Sequence, residues 1–355
     1  MSTESAVDAA ASRPIASIVI LGWNGAEYVD GCLSSVLDQD VGRADEVIFV
    51  DNGSTDGTPG RAATYAGARV VRLDRNYGYC IGNNRGFEET RGRYVVFLNQ
   101  DVVVHRSWLR ELLAAVESDP SIAAAHANIV QPWYPEFAGM DRDGPMSVAY
   151  TADLSRLGLI HYRCIDAPPP VVDTMFLHGV SIIARREAIE ELGYAFDPDM
   201  FAYAEDLDLA LRARARGYRT VIATRATVYH KHTLDARFSL GTFRKTTRII
   251  RNRLLAFWKC SSWPEFLPVA ALTIVGAPFN AGEFGLPLWR RVMYFVALVP
   301  PAMASGIATI AAMPQYAARR REVLATRRMP RWWLLRAMWR ERPPAPRQTV
   351  SGVKL

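Results

Sequence analysis

Hydrophobic residues lie along the chain in short runs whose period alternates between strand-like and helical. Residues 15–23 (IASIVILGW) form a continuous apolar run rich in β-branched side chains, bounded by Pro14 and Asn24. Such a run predicts a buried strand. Over 26–40 the period lengthens, and Tyr28, Cys32, Val36 and Leu37 fall at helical spacing. The pattern then predicts a strand at the start of 46–58 that closes in the turn NGSTDG, a third strand over 68–76, a helix over 82–91 and a fourth strand over 93–101. Further on it predicts strand then helix over 173–193, a helix of about 12 residues within 197–219 that ends at Gly217, and a strand with its exit over 220–233. Residues 131–170 are rich in Pro, Gly and Asp and read as a long irregular segment near the site. The first 13 residues lack an apolar core of the kind a signal peptide needs, and are expected to be disordered.

Strands alternating with helices predict an α/β fold, a mostly parallel sheet with helices on both faces. Ligands of such sheets bind beyond the carboxyl ends of the strands. Four predicted strands end there in polar residues: Asn24, Asp51–Asn52, Asp74–Asn76 and Asn99–Asp101.

After residue 240 the character changes. Residues 243–259 form a basic helical pattern, 266–282 carry no charge, and neither do 292–318, which Pro300, Pro301, Gly306 and Pro314 are expected to break. The overall charge of +6 hides an asymmetry: residues 1–240 sum to −9 and residues 241–342 to +13. Tryptophans 258, 263, 289, 332, 333 and 339 accompany the basic, apolar end. Trp and Arg beside broken apolar sequence predict a segment lying on an anionic membrane surface. Packing on the rest of the protein, an oligomer interface or a true span are the alternatives. Four cysteines lie far apart with no CxxC pair, which excludes a disulfide scaffold and a classical zinc site and fits a reduced compartment.

Several of these residues carry candidate chemistry. Asp101 at a strand end suits a divalent cation on a diphosphate, or else a helix N-cap. Asp51 and Asn52 could bond a nucleobase edge, although NGSTDG is also a plain turn sequence. RNYGYCIGNNRG (75–86) lacks the spacing of known phosphate loops, yet its glycines would admit a phosphate beside Arg75. Glu205 and Asp206 open a helix, where acids complement the dipole. The nearby Phe201 and Tyr203 would form an apolar wall that raises a carboxylate's pKa and suits it to general-base work. His178 with Gly179 could face an acceptor, and His230 could complete a metal site.

In order, SIVILGWN, DEVIFVDNGSTDGT, RNYGYCIGNNRG, YVVFLNQD, the segment 178–219 and VYHKHT closely resemble glycosyltransferase family 2 over about residues 15–255, and most resemble its bacterial branch that includes rhamnosyltransferases. The resemblance implies a GT-A (Rossmann-like) fold and an inverting transfer from a nucleotide sugar with Mg²⁺ or Mn²⁺. Asp101 would be the main metal ligand, aided by His230, because Asn99 replaces the family's first acid. Asp206 would be the base and Glu205 its support. Leu21, Asn24, Asp51, Asn52, Arg75, Asn76, Gly82, Asn99 and Gln100 would hold the donor, dTDP-rhamnose or a UDP-sugar. His178, Gly179 and Tyr203 would lie on the acceptor side.

The expected domains are a disordered 1–13, a catalytic 14–240, a helical membrane-associating 241–342 and a disordered tail 343–355. The expected acceptor is a polyprenyl-linked or surface glycan at the cytoplasmic face of the membrane, with a homo-oligomer possible. Open alternatives are a soluble transferase for a protein or small acceptor, a non-catalytic scaffold, and a nucleic-acid-binding protein. The apolar runs and tryptophans within the basic end, without a recognised binding module, argue against nucleic acid.

Overall fold

The computed structural model describes residues 15–40, 46–130, 148–231, 240–277 and 288–339. The expected disordered ends, 1–13 and 343–355, lie outside the described residues, as does 131–147 of the Pro-rich segment. Four strands, β1 (Ala16–Gly22), β2 (Glu46–Asp51), β3 (Arg69–Arg72) and β4 (Tyr94–Asn99), pair in parallel in the order β3-β2-β1-β4. Beyond β4 the sheet continues through β10 (Ser181–Arg185), β6 (Ile122–Val130), β11 (Arg219–His230) and β5 (Val102–Val104). β10 runs antiparallel to both neighbours, while β6 and β11 pair in parallel.

Alternation along each strand divides the core. Ile18 and Ile20 of β1, with Phe49, Val96 and Leu98, pack against helices α1 (Ala26–Leu37) and α4 (Trp108–Glu117) on one face. Val19, Val50, Val95 and Phe97 face the other side. There they meet α3 (Gly78–Glu88), α6 (Glu205–Ala215) and α7 (Leu240–Cys260). Period-2 burial on both faces requires this two-sided cover. The short helices α2 (Thr58–Ala62) and α5 (Arg186–Leu192) complete the layer.

Several sequence expectations need correction. The segment expected to be irregular contains β7 (Val148–Leu154) and β8 (Ile160–Asp166), an antiparallel pair, and then β9 (Val171–Asp173), which joins β11. β5 and β6 escaped the sequence pattern, since β6 is an alanine-rich strand (IAAAHANIV) buried along its whole length. The uncharged run 292–318 is not broken. It lies within one helix, α9 (Leu288–Ala325), that continues through all three prolines. Packing outweighs the local cost of proline there. α8 (Trp263–Gly276) and α10 (Trp333–Trp339) complete the C-terminal layer. The helix expected over 82–91 starts earlier, at Gly78.

A buried ion network ties this layer to the body. Lys259 Nζ of α7 lies 2.5 Å from Asp197 and 2.6 Å from Asp208, with all three side chains fully buried. Arg212 bonds the same Asp208 at 2.8 Å, and Arg319 of α9 reaches Asp197 at 2.7 Å. Burial opposes the Lys259 charge, but Asp208, Tyr194 and Asp197 more than reverse that effect and raise its pKa. Asp208 is likewise desolvated, yet Lys259 and Arg212 hold its pKa below the usual carboxylate range.

Removing one member of a buried network leaves uncompensated charge. Lys259→Met is expected to destabilise the fold by about 3–5 kcal/mol in urea unfolding. An unchanged unfolding midpoint would mean that the ammonium is not holding the two acids together.

Candidate active site

The carboxyl edge of the sheet gathers the predicted residues into three groups. The first lies between β1, β2 and α3. A Cβ at Gly82 would come within 2.5 Å of Leu21 and 3.4 Å of the Asn52 amide, so only glycine lets α3 lie this close. Asn52 uses its whole amide inside the protein. Its Nδ2 donates to Asn76 Oδ1 and to the Gly78 carbonyl, both at 3.2 Å, and its Oδ1 accepts from Tyr77 N–H at 3.0 Å. Asn52 thus shapes the 76–78 turn. Asp51 is buried, accepts from Ser54 N–H at 3.2 Å and lies 3.8 Å from Arg72. Arg75 lies over the Tyr77 ring at 4.7 Å.

The turn reading of NGSTDG also holds. Asp56 accepts from Thr58 N–H at 2.9 Å and from Ala26 N–H at 3.2 Å. Asn24 Oδ1 accepts from Thr55 N–H at 2.8 Å, which joins the β1 and β2 exits. Gln100 Nε2 donates to the Trp23 carbonyl at 2.9 Å, while its buried Oε1 has no partner among the described residues.

The second group forms where β5, which follows β4 directly, pairs with β11. Asp101 Oδ2 lies 3.2 Å from His230 Nε2, and Lys231 N–H donates to the Asp101 carbonyl at 2.9 Å. The N-cap alternative for Asp101 falls away, because α4 starts after Ser107 and β5 intervenes. A part-exposed carboxylate beside an imidazole is a donor pair suited to Mn²⁺ or Mg²⁺. Among the described residues no third His, Cys, Asp or Glu joins them. A bound cation would therefore draw its remaining ligands from water and substrate oxygens, as Mg²⁺ usually does. Histidine 232 lies outside the described residues.

The third group forms at the start of β10. Asn99 N–H donates to the Val180 carbonyl at 3.0 Å, so Gly179 lies just beyond the end of β4. Gly179 is held at both ends. Its N–H donates to Asp206 Oδ2 at 3.0 Å and its carbonyl accepts from Tyr79 Oη at 2.6 Å. A Cβ on Gly179 would lie 3.3 Å from Asp206 Oδ2 and 3.6 Å from Glu205 Oε1, close against the two carboxyls. Tyr79 is the contributor that sequence reasoning missed; its place next to Gly78 in the Gly-rich segment was the available signal. His178 packs near Phe176 and His126, with ring centroids at 6.0 and 6.4 Å. Burial lowers the His126 pKa to about 4, so that ring is neutral.

The two acids differ. Burial and then the charge of Asp206 raise Glu205 to about 8. Burial also raises Asp206, but the N–H groups of Gly179 and Leu207 and the charge of Arg253 oppose it, leaving a value of about 6. Near neutral pH the pair holds one proton, and the Gly179 and Leu207 N–H groups and Arg253 favour the charge on Asp206. Just upstream, Phe201, Tyr203 and Ala204 have φ of 62°, 74° and 63°. Left-handed geometry at non-glycine residues costs of order 1–3 kcal/mol each and concentrates at functional sites. Phe201 and Tyr203 are also partly exposed.

Residues 17–193 match the family model for glycosyl transferase family 2. An uncharacterized protein of Mycobacterium tuberculosis is 25% identical over 90% of this chain and 97% of its own length. The putative teichuronic acid biosynthesis glycosyltransferase TuaG of Bacillus subtilis is 36% identical, over 25% of this chain and 36% of its own length. The N-acetylglucosaminyl-diphospho-decaprenol L-rhamnosyltransferase of M. tuberculosis is 27% identical over 68% of this chain and 86% of its own. Coverage of the relatives thus ranges from nearly their whole length to about a third. Among solved structures, GalNAc-T7 with UDP, GalNAc and Mn²⁺ superposes with a TM-score of 0.57 at 16% identity, covering 78% of this chain and 52% of that one. The mannosyltransferase PcManGT of Pyrobaculum calidifontis, with GDP-Man and Mn²⁺, gives 0.51 at 18% identity, covering 92% and 88%. These likenesses place the chain in the GT-A fold.

Glu205 keeps its proton in the fold up to about pH 8 but loses it near the ordinary glutamate value when unfolded. Folding therefore takes up a proton between those limits, and stability falls as pH rises through them. Glu205→Gln removes this dependence. The variant is expected to be more stable than the parent at pH 9 and to have lost that advantage at pH 4 in urea unfolding. An identical difference at both pH values would show that Glu205 ionises normally in the fold.

Proposed function

The chain belongs to glycosyltransferase family 2 through residues 17–193, and on that premise we propose that it is an inverting, metal-assisted transferase that moves a sugar from a nucleotide-diphosphate donor to a lipid-linked or cell-surface glycan. One observation carries the reading. The ionised Asp206 is held against Gly179 beside the end of β4, and the Asp101–His230 pair stands where the same strand exits towards β11. An acceptor-activating carboxylate and a cation-holding pair thus share one sheet edge.

The chain's own residues supply the other parts. Leu21, Gly82 and the turn held by Asn52 form the floor of the donor pocket, and Asp51 and Asn24 hold the loop that borders it. Asp51 is the residue of the predicted nucleobase pair assigned to the base, and Asn52 serves through the turn. Asp206, charged near neutral pH, takes the proton of the acceptor hydroxyl. Glu205 stays neutral beside it, so the site holds a single negative charge, on the carboxylate that takes the proton. Arg75, exposed beside the pocket, is placed to pair with the donor's phosphates. His178 and Tyr203 border the acceptor side. A divalent cation on Asp101 and His230 would supply Lewis-acid neutralisation of the departing diphosphate.

The donor is assigned to dTDP-rhamnose or a UDP-sugar, and the acceptor to a polyprenyl-diphosphate glycan in polysaccharide or cell-wall synthesis. The rhamnosyltransferase relative, aligned over 86% of its length, supports this. α9 supports a lipid-linked acceptor. Phe295–Ala325 is long and apolar enough to cross a membrane, yet one face packs on the protein through buried Ala302, Ser305, Thr309 and Tyr316. The opposite face exposes Met293, Val296, Met303, Ile307 and Ile310, each more than half accessible, and Leu267 and Val275 of α8 are similarly exposed. Arg319 anchors the far end to Asp197. A helix with one face on protein and an apolar face outward, flanked by arginines, fits a monotopic contact at the cytoplasmic side of the membrane better than a span.

Two outcomes follow. Asp206→Asn is expected to lower kcat by about 10²–10⁴-fold while a nucleotide sugar with Mn²⁺ still shifts the melting temperature. Full transfer by that variant would remove Asp206 as the base. Replacing Met303, Ile307 and Ile310 together by Glu is expected to abolish flotation with anionic phospholipid vesicles while hydrolysis of the donor persists. Undiminished flotation would place the membrane contact elsewhere.

A further inference from the structure

The loop that leads into Glu205 and Asp206 is strained, and its restraint comes from α7, beyond the residues that the family model matches. Asn252 of α7 is fully buried. Its Nδ2 donates to three carbonyls of this loop: Met200 at 3.1 Å, Ala202 at 3.0 Å and Tyr203 at 2.9 Å. Each of these carbonyls directly precedes one of the left-handed residues Phe201, Tyr203 and Ala204, and Ala204 is the N-cap of α6. The Asn252 carbonyl oxygen accepts from Arg251 at 2.7 and 3.0 Å, which fixes which end of the amide faces the loop. The next residue, Arg253, contributes positive charge that lowers the pKa of Asp206. Seven residues further along the same helix, Lys259 holds Asp197 and Asp208 on either side of the loop and base.

An unrestrained chain would leave left-handed geometry at three non-glycine residues. The carbonyls turned inward by that geometry need a donor, because buried unpaired carbonyls are costly. A single side-chain amide supplies it. We propose that Asn252 is a positioning residue of the transfer reaction: by gathering these three carbonyls it fixes the entry into α6, and so keeps Asp206 against the Gly179 N–H. The inference rests on the assignment of Asp206 as base. It makes α7 part of the catalytic unit rather than the start of a separate membrane-associating region.

The test compares Asn252→Leu, which fills the same volume without a donor, and Asn252→Ser, whose short hydroxyl reaches at most one carbonyl, with the parent. Full-length protein is used, with a nucleotide sugar and Mn²⁺. Expected for Asn252→Leu is a fall in kcat of about 10–100-fold, the cost of misplacing a reacting group by about 1 Å, with donor KM within about twofold. Asn252→Ser is expected to fall between it and the parent. The acidic limb of the kcat–pH profile, set in the parent by Asp206, should shift, because a loosened loop changes both the desolvation that raises that carboxyl's pKa and the Gly179 N–H bond that lowers it.

An unchanged kcat and acidic limb in Asn252→Leu would overturn the proposal. Loss of donor binding in parallel with kcat in both variants would make Asn252 a structural residue only, and would overturn it equally. The two readings fail separately. Full activity of Asp206→Asn removes the base assignment, whereas an inactive Asp206→Asn beside an unaffected Asn252→Leu removes the positioning claim alone.

Discussion

The interaction on which the rest of the structure depends is the fully buried bridge from Lys259 to Asp197 and Asp208. It joins the turn before the strained loop, the helix that carries the two acids, and the first C-terminal helix. Arg212 and Arg319 extend it, the latter from α9. Buried charges persist only when paired and hydrogen-bonded. The network therefore admits few alternative placements of these helices, and the apolar C-terminal layer and the site are built as one piece.

Burial is also what gives the two acids different roles. Burial raises the pKa of both, and backbone N–H groups oppose it at both, but Asp206 also has the Gly179 N–H and the field of Arg253. Glu205 instead faces the charges of Asp206 and Asp208, which help it keep its proton. Two adjacent carboxyls of similar chemistry thus separate into one that favours its charge and one that favours its proton. Gly179 ties this arrangement together, its N–H on Asp206 and its carbonyl on the Tyr79 hydroxyl.

Much of this was legible in the sequence. The four leading strands, their polar ends, the Asp101–His230 meeting and the acids at the head of α6 follow from hydrophobic period and from the family's ordered motifs. What stayed hidden depends on tertiary contact. β6 carries four alanines whose burial comes only from its neighbours, and β7 and β8 lie in a stretch whose composition signals loop. α9 continues through three prolines because packing along one face outweighs the missing bonds. Asn52 matches a nucleobase-binding motif, yet its amide is turned to the 76–78 backbone. Nothing in the spacing of Asn252 or Lys259 marks them as partners of a loop some fifty residues earlier. The charge asymmetry located the basic end but did not reveal that Lys259 and Arg319 face inward to acids.

The central claim is a single displacement in which Asp206 activates the attacking hydroxyl while the cation-holding pair stands by the leaving diphosphate. It is tested most directly by the anomeric configuration of the first-formed product, read by proton NMR during turnover of a nucleotide sugar of known configuration. The account predicts the inverted anomer from the earliest spectra. A product that retains the donor's configuration would contradict it.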